Sequence, residues 1–459
     1  MGSIGGKIHW TMSEIQPESP NSAAAVSRRS FLASAAVSAG AVALARPTFA
    51  AAQSPNNQIV LGMIGVGGQG TGRLKEFLKH PDVRIAAICD VDERHADRAI
   101  EIVRSARGQA PQKFGDFRKL LELKEIDAVS IVTPDHWHSI PTVQAFEAGK
   151  DVFVEKPLSY SLAEGRAMAD ASLNHKRVTQ MGNHIHNDLP NYRRVVEMVR
   201  SGKLGKITRV HAWKASPREP FTTTEPATLP PGFDYDFWLG PAPKRPYDPM
   251  RSHFNFRYFW DYSGGMFIDF WCHISDVVFW ALDLKAPESV SSAGGRYFIK
   301  DETETPDVID AVLEYPELLY TFSLRSSPLP GFEHMGDIGC LFEGTDASLV
   351  TNYGRHEIYV GGKRIDDFPT PPQSIPDSPG HLREFLDAIK SRNLETTCNL
   401  RYGHRLTKAG LLSNIAFRTG DRLHWDDDRE QIIDNKKAEH MLHRYFRKPW
   451  NLKKQPRPV

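Results

Sequence analysis

From residue 59 onward, short apolar runs alternate with amphipathic stretches. The runs at 59–64 (IVLGMI), 82–90 (DVRIAAICD), 125–134 (EIDAVSIVTP), 151–157 (DVFVEKP) and 177–182 (RVTQMG) are continuous enough to predict strands buried on both faces. Between them, 72–80, 93–106, 140–150 and 161–175 carry apolar residues at helical spacing. Gly149 supplies a C-cap signal, and Ser161 with Glu164 three residues on reads as a capping box. Strands and helices in regular alternation predict βαβ units and a doubly wound parallel sheet. After Lys206 the texture changes. KITRVHAWKA (206–215) alternates as a half-buried strand should, and a Pro-, Gly- and aromatic-rich loop fills 215–262. Strand-like runs follow at 296–300 (RYFIK), 310–316, 319–326, 339–353 and 357–365, then helical patterns at 381–390 and 401–420. This half predicts an α+β domain on a large open, mainly antiparallel sheet.

The first strand runs into GMIGVGGQG (62–70), five glycines in nine residues. Gly65, Gly67 and Gly70, with Gly68 and Gln69 between them, fit G-x-G-x-x-G. That pattern gives a tight turn, close backbone approach to a pyrophosphate and close helix–strand packing. Alone the motif is weak, since glycines also mark ordinary turns. Its context between strand and helix strengthens it, as does Asp90, which ends the second strand twenty residues beyond Gly70. Free N–H groups at the helix start favour phosphates, and an acid at position 90 suits ribose hydroxyls and repels a 2′-phosphate. NAD is the cofactor expected, with NADP disfavoured.

Composition leaves this picture intact. The 459 residues are 40% hydrophobic and 25% charged with a formal net charge of +1, so no overall attraction to nucleic acid is expected. Four scattered cysteines (89, 272, 340, 398) form no C-x-x-C spacing, and Cys89 reads as a small buried hydrophobe. The N-terminus adds an address. SRRSFLA (27–33) followed by small apolar residues to Ala45 resembles a twin-arginine export signal, too short to span a bilayer. The destination is then the periplasm or the exterior. The partner is the export machinery, and no stable membrane span remains after processing. Four segments follow from this reading: 1–52, export signal; 57–182, nucleotide-binding domain; 183–430, substrate and oligomerisation domain; 431–459, a basic tail with Trp450.

Two stretches carry candidate chemistry. Glu155-Lys156-Pro157 ends a strand of the nucleotide domain, where open α/β sheets bind ligands, so Lys156 can meet the nicotinamide edge. GGMFIDFWCHISDVVFWAL (264–282) is an apolar helix in which Asp269, His273 and Asp276 share one face. An acid–base histidine oriented by a carboxylate fits that spacing, and so does a structural polar network. No third ligand is evident, so no metal is expected.

In order along the chain, GVGGQG, VTPDHWHSIPTVQAFEAGKDVFVEKPLS (132–159), NYRRVVEMVRSGKLGKI (191–207) and the 264–282 helix resemble the glucose–fructose oxidoreductase / inositol dehydrogenase / MocA oxidoreductases over roughly residues 57–430. The resemblance implies a Rossmann domain, a C-terminal α/β domain with an open sheet, a nicotinamide cofactor between them and frequent homo-oligomerisation. It makes Lys156 the family's EKP lysine, often before a cis-proline, and Asp269 and His273 its catalytic pair. It also places Thr133, Pro134 and His138 beside the nicotinamide, with Glu155 at the cofactor. GNHIHN (182–187) departs from the commoner arginine- or tyrosine-bearing forms, so Asn183, His184 and His186, with Asp276, become the candidate substrate contacts. The expected reaction is hydride transfer at a sugar or polyol carbon. Two other readings stay open: a glycosidase that retains NAD, and a sugar-binding protein without catalysis.

Overall fold

The computed structural model describes residues 58–221, 227–433, 435–453 and 455–456. The stretch that resembles an export signal lies outside these residues. The five apolar runs become parallel strands β1 (Ile59–Ile64), β2 (Val83–Cys89), β4 (Ala128–Ile131), β5 (Asp151–Val154) and β6 (Thr179–Met181). A sixth, β3 (Gln112–Phe114), joins at the edge. It is three residues long and partly exposed, so it carries no apolar run to find. The order β3-β2-β1-β4-β5-β6 reverses between β1 and β4, and ligands bind open α/β sheets at such a switch.

One core of this half packs Leu61, Met63 and Val66 with Leu74 and Phe77 of the helix Gly68–Phe77. Leu382, Phe385, Leu386 and Ile389 from the late helix His381–Ser391 complete that core, with Phe385 set 5.9 Å from Phe153. The chain therefore returns to its first sheet. The tail also binds back. Trp450 packs 4.7 Å from Trp137 and 5.1 Å from Phe237, Arg447 donates to the Gly240 carbonyl, and Arg444 to that of His136.

The second sheet has ten strands in the order β14-β13-β12-β11-β7-β10-β9-β8-β15-β16. These are β7 (Ile207–Ala215), β8 (Ser289–Gly295), β9 (Val308–Tyr315), β10 (Leu318–Arg325), β11 (Ile338–Gly344), β12 (Ser348–Thr351), β13 (His356–Val360), β14 (Lys363–Arg364), β15 (Leu423–Asp426) and β16 (Gln431–Ile433). Only β7 with β10 pairs parallel; every other neighbour is antiparallel. RYFIK is not a strand. The strand lies just before it in SVSSAGG, and the Asp307 carboxylate caps the 296–300 loop by accepting from the amides of Tyr297, Phe298 and Ile299.

The helix Gly265–Leu282 lies between this sheet and the helix Leu400–Thr419. Phe267 meets Phe322 at 5.1 Å, Trp271 meets Tyr320 at 5.7 Å, and Trp271 Nε1 donates to the Leu406 carbonyl. Its length and hydropathy would suit a bilayer span, but most of it is buried in the fold. It is a core helix whose Asp269 reaches Lys156 of the nucleotide half. All four cysteines are free and buried.

Candidate active site

A cleft of about 720 Å³ runs from the glycine loop to the core helix, within the usual range for ligand sites. Gly65 turns the chain with φ +81°, and a Cβ there would fall 2.6 Å from the Val132 carbonyl oxygen. A Cβ on Gly70 would fall 2.1 Å from the Gly65 oxygen, so this residue lets helix and strand meet. On Gly68 a Cβ would meet nothing within 4 Å, because that side is open cleft. The helix that begins at Gly68 has no side-chain cap and no acid in its first turn, so its leading N–H groups are free to meet an anion. Gly65, Gly67, Gly68, Gln69, Gly70 and Asp90 all line the cleft. Asp90 is held in place by the Val66 amide on Oδ2 and the Asp92 amide on Oδ1. Thr133 and Pro134 line the middle, and the Thr133 hydroxyl is buried without a partner among the described residues. This donor and acceptor set fits a dinucleotide.

At the far end Lys156, Asp269 and His273 come together. Lys156 precedes a cis peptide to Pro157. Its Nζ donates to Asp269 Oδ1 at 2.6 Å and to the Asp269 carbonyl at 3.1 Å. Arg257 Nε donates to Asp269 Oδ2 at 3.1 Å. Although burial opposes ionisation, the two cations hold the Asp269 carboxyl well below the usual carboxylate range. The orienting role expected of Asp269 is therefore corrected. Its carboxylate fixes Lys156 and makes no hydrogen bond to His273, because two cations outcompete a neutral ring on the same helix face. His273 Nδ1 is buried without a partner among the described residues. Burial, with Lys156 adding to it, pushes the imidazole well below its ordinary pKa, so the ring stands neutral. Glu155 is buried behind Lys156 and takes Arg73 Nε at 2.6 Å.

The expected substrate contacts divide. His184 lines the cleft, its ring 6.1 Å from that of His273. Asn183, His186 and Asp276 do not. Asp276 is fully buried and accepts from Asn183 Nδ2 at 2.8 Å, His186 Nε2 at 2.9 Å and the Tyr402 hydroxyl. A buried carboxylate needs such donors, so these residues form the structural network that the same spacing also allowed. His138 is likewise a strut. Its ring nitrogens meet the carbonyl oxygens of Pro157 (2.8 Å) and Thr133 (2.9 Å), tying together the two loops that line the cleft.

Sequence reading missed the strap. Residues from the 215–262 loop cross onto the nucleotide half, where Glu93 N donates to Gly232 O and Asp234 N to Val91 O. They deliver His253, Phe254, Phe256 and Arg257 to the cleft wall. No periodicity marks this segment; its density of aromatics is the one clue. Asp92, His95 and His253 bring one ligand atom each within 4.8 Å of one another. Arg94 already donates to both Asp92 oxygens, which leaves that carboxylate neutralised before any ion arrives.

Residues 59–183 match the family model for the oxidoreductase NAD-binding Rossmann fold, and residues 195–452 that for the oxidoreductase C-terminal alpha/beta domain. Among curated proteins the chain is similar to the alpha-N-acetylgalactosaminidase of Shewanella oneidensis, 32% identical over 163 residues that make up 34% of each chain. It is also similar to a glycosyl hydrolase family 109 protein of Saccharopolyspora erythraea, 34% identical over 152 residues, 32% of this chain and 33% of that one. The match spans about a third of the length of these relatives. Among solved structures, the WlbA dehydrogenase from Bordetella pertussis in complex with NADH and UDP-GlcNAcA has a TM-score of 0.57 at 18% identity, covering 80% of this chain and 99% of that one. An oxidoreductase from Agrobacterium radiobacter in complex with NAD+, L-tartaric acid and magnesium has a TM-score of 0.57 at 17% identity, covering 80% and 98%. At such identities the likeness shows the fold. The two family matches take in both sheets and every cleft-lining residue except His184, and by them the chain belongs to the glucose–fructose oxidoreductase / inositol dehydrogenase / MocA oxidoreductase family.

Proposed function

We propose that the chain keeps one NAD and uses it to oxidise or reduce the hydroxyl-bearing carbon of a sugar or polyol. The observation that carries this reading is one continuous cleft, with the glycine loop and Asp90 at one end and Lys156 and His273 at the other. Bound there, the nicotinamide supplies a hydride acceptor and donor. The rest falls to the chain's own residues. Lys156, held by Asp269, donates a hydrogen bond to the reacting oxygen. His273, neutral through burial, accepts the hydroxyl proton on its ring. Asp90 favours NAD over NADP, and Arg94, four residues on, is turned onto Asp92 and away from any 2′-phosphate role.

Retention follows from the proposed address. The Arg28-Arg29 stretch directs the folded protein to a compartment without a maintained NAD pool. A cofactor carried along must then leave slowly, and the strap over the cleft supports slow release. Replacing Lys156 or His273 with Ala should abolish most sugar redox turnover while leaving the nucleotide content unchanged. Normal turnover in both variants would place the chemistry elsewhere and favour a sugar-binding protein. The family 109 relatives favour a second reading, a glycosidase that oxidises a sugar hydroxyl transiently, eliminates the leaving group, adds water across the resulting double bond and restores the hydride. Free sugar released from a nitrophenyl glycoside, with no net redox change, would select it.

A further inference from the structure

At the chemical end of the cleft two cations meet on one carboxylate. Glu155 is answered by Arg73, and Glu76, the other acid on Arg73, is half exposed and outside the cleft wall. Asp269 faces two cations, Lys156 and Arg257. Asp135 sits in the same wall as a buried carboxyl with the Ser263 hydroxyl 2.5 Å away; burial raises its pKa, and the nearby Arg257 charge works against that rise. His184 and His273 are both pushed down by burial and add no charge near neutrality. Lys156 and Arg257 thus share one hydrogen-bonded carboxylate, that of Asp269.

Of the two cations, Arg257 keeps an open edge. Its guanidinium packs over the rings of Phe254 (4.7 Å) and Phe256 (4.6 Å), with Nε on Asp269 and Nη1 on the Phe254 carbonyl. Nη2 has no partner among the described residues, and the side chain is 19% exposed, at the cleft wall. A largely buried cation without a full partner is costly, whereas a planar guanidinium held by aromatic faces is already arranged for a carboxylate. We propose that the substrate is an acidic sugar or polyol whose carboxylate binds Arg257, making Arg257 the residue that sets substrate class. This rests on the reading of the cleft as a site of hydroxyl-carbon redox chemistry.

The test is equilibrium binding to the protein as purified, at pH 7, with nucleotide content measured in parallel. Matched probes differ only in the acid group: D-glucuronate and D-glucose, D-galacturonate and D-galactose, L-tartrate and L-threitol. At least one acid should bind about tenfold or more tightly than its neutral partner, the effect of one charge-assisted hydrogen bond. Arg257→Gln should erase that preference with its nucleotide intact, and Arg257→Lys, which keeps the charge but loses the planar edge, should retain part of it. No acid preference in any pair, or an undiminished preference in both variants, overturns the proposal. So does loss of the preference only together with the nucleotide, which would assign Arg257 to the cofactor. Nucleotide-free wild-type protein that still prefers acids would overturn the underlying redox reading and leave the charge assignment standing.

Discussion

His273 carries the sharpest residue-scale expectation. Its Ala variant should lose about 10²–10⁴-fold in turnover, the range for a positioned acid–base group, with nucleotide content unchanged. The pH dependence has a definite sign. Burial depresses the folded pKa below the ordinary 6.5, so the ring remains a base as pH falls through that value. kcat/KM for sugar oxidation should therefore hold its neutral-pH level at pH 6.5 and decline only at lower pH; half-loss at or above 6.5 would contradict the buried, neutral ring. The pairing of residues was only partly legible. Asp269 and His273 sit four apart on a helix, which fixes a shared face but not a shared hydrogen bond. The partner that takes Asp269 is Lys156, 113 positions away, with Arg257 arriving from a loop of no readable period. Both glycine positions with a steric reason, Gly65 and Gly70, were readable because the motif encodes local geometry.

At the scale of elements, the contact between the Gly68–Phe77 helix and β1 rests on a missing side chain. Gly70→Ala would put a methyl 2.1 Å from a backbone oxygen, which cannot swing aside. The helix must shift, costing about 1–3 kcal/mol as overpacking does, and the purified variant should carry less nucleotide. A second expectation separates structure from chemistry. Asp276→Ala leaves Asn183, His186 and Tyr402 without their acceptor, and should cost about 2–5 kcal/mol in urea unfolding. If Asp276→Ala unfolds like wild type yet loses substrate affinity, the residue belongs to the site after all. The parallel strands were legible because burial on both faces writes long apolar runs. β3, β15 and β16 were not: each is four residues or fewer, sits at or near a sheet edge, and has exposed positions. The return of His381–Ser391 to the first sheet is a long-range packing choice, invisible to any local pattern even though the helix itself was plain.

For the whole molecule, acid should be destabilising well before the carboxylates titrate. Burial holds His136 down to about 3, and His273 and His381 are also well below 6.5. Below pH 6.5 the unfolded chain binds these protons and the folded chain does not, so stability falls as pH falls. Each histidine that stays neutral contributes a slope of about 1.4 kcal/mol per pH unit. Urea midpoints should drop steadily from pH 6.5 toward 4; a flat profile would mean the rings protonate in place. Protein should be purified without added nucleotide, dialysed extensively and denatured, and the released nucleotide identified by mass and counted against protein. NAD should be released at close to one per chain, from protein that turns over sugar with none added. Fully active protein that releases no nucleotide and works only with added cofactor, or that releases NADP, would contradict a retained NAD.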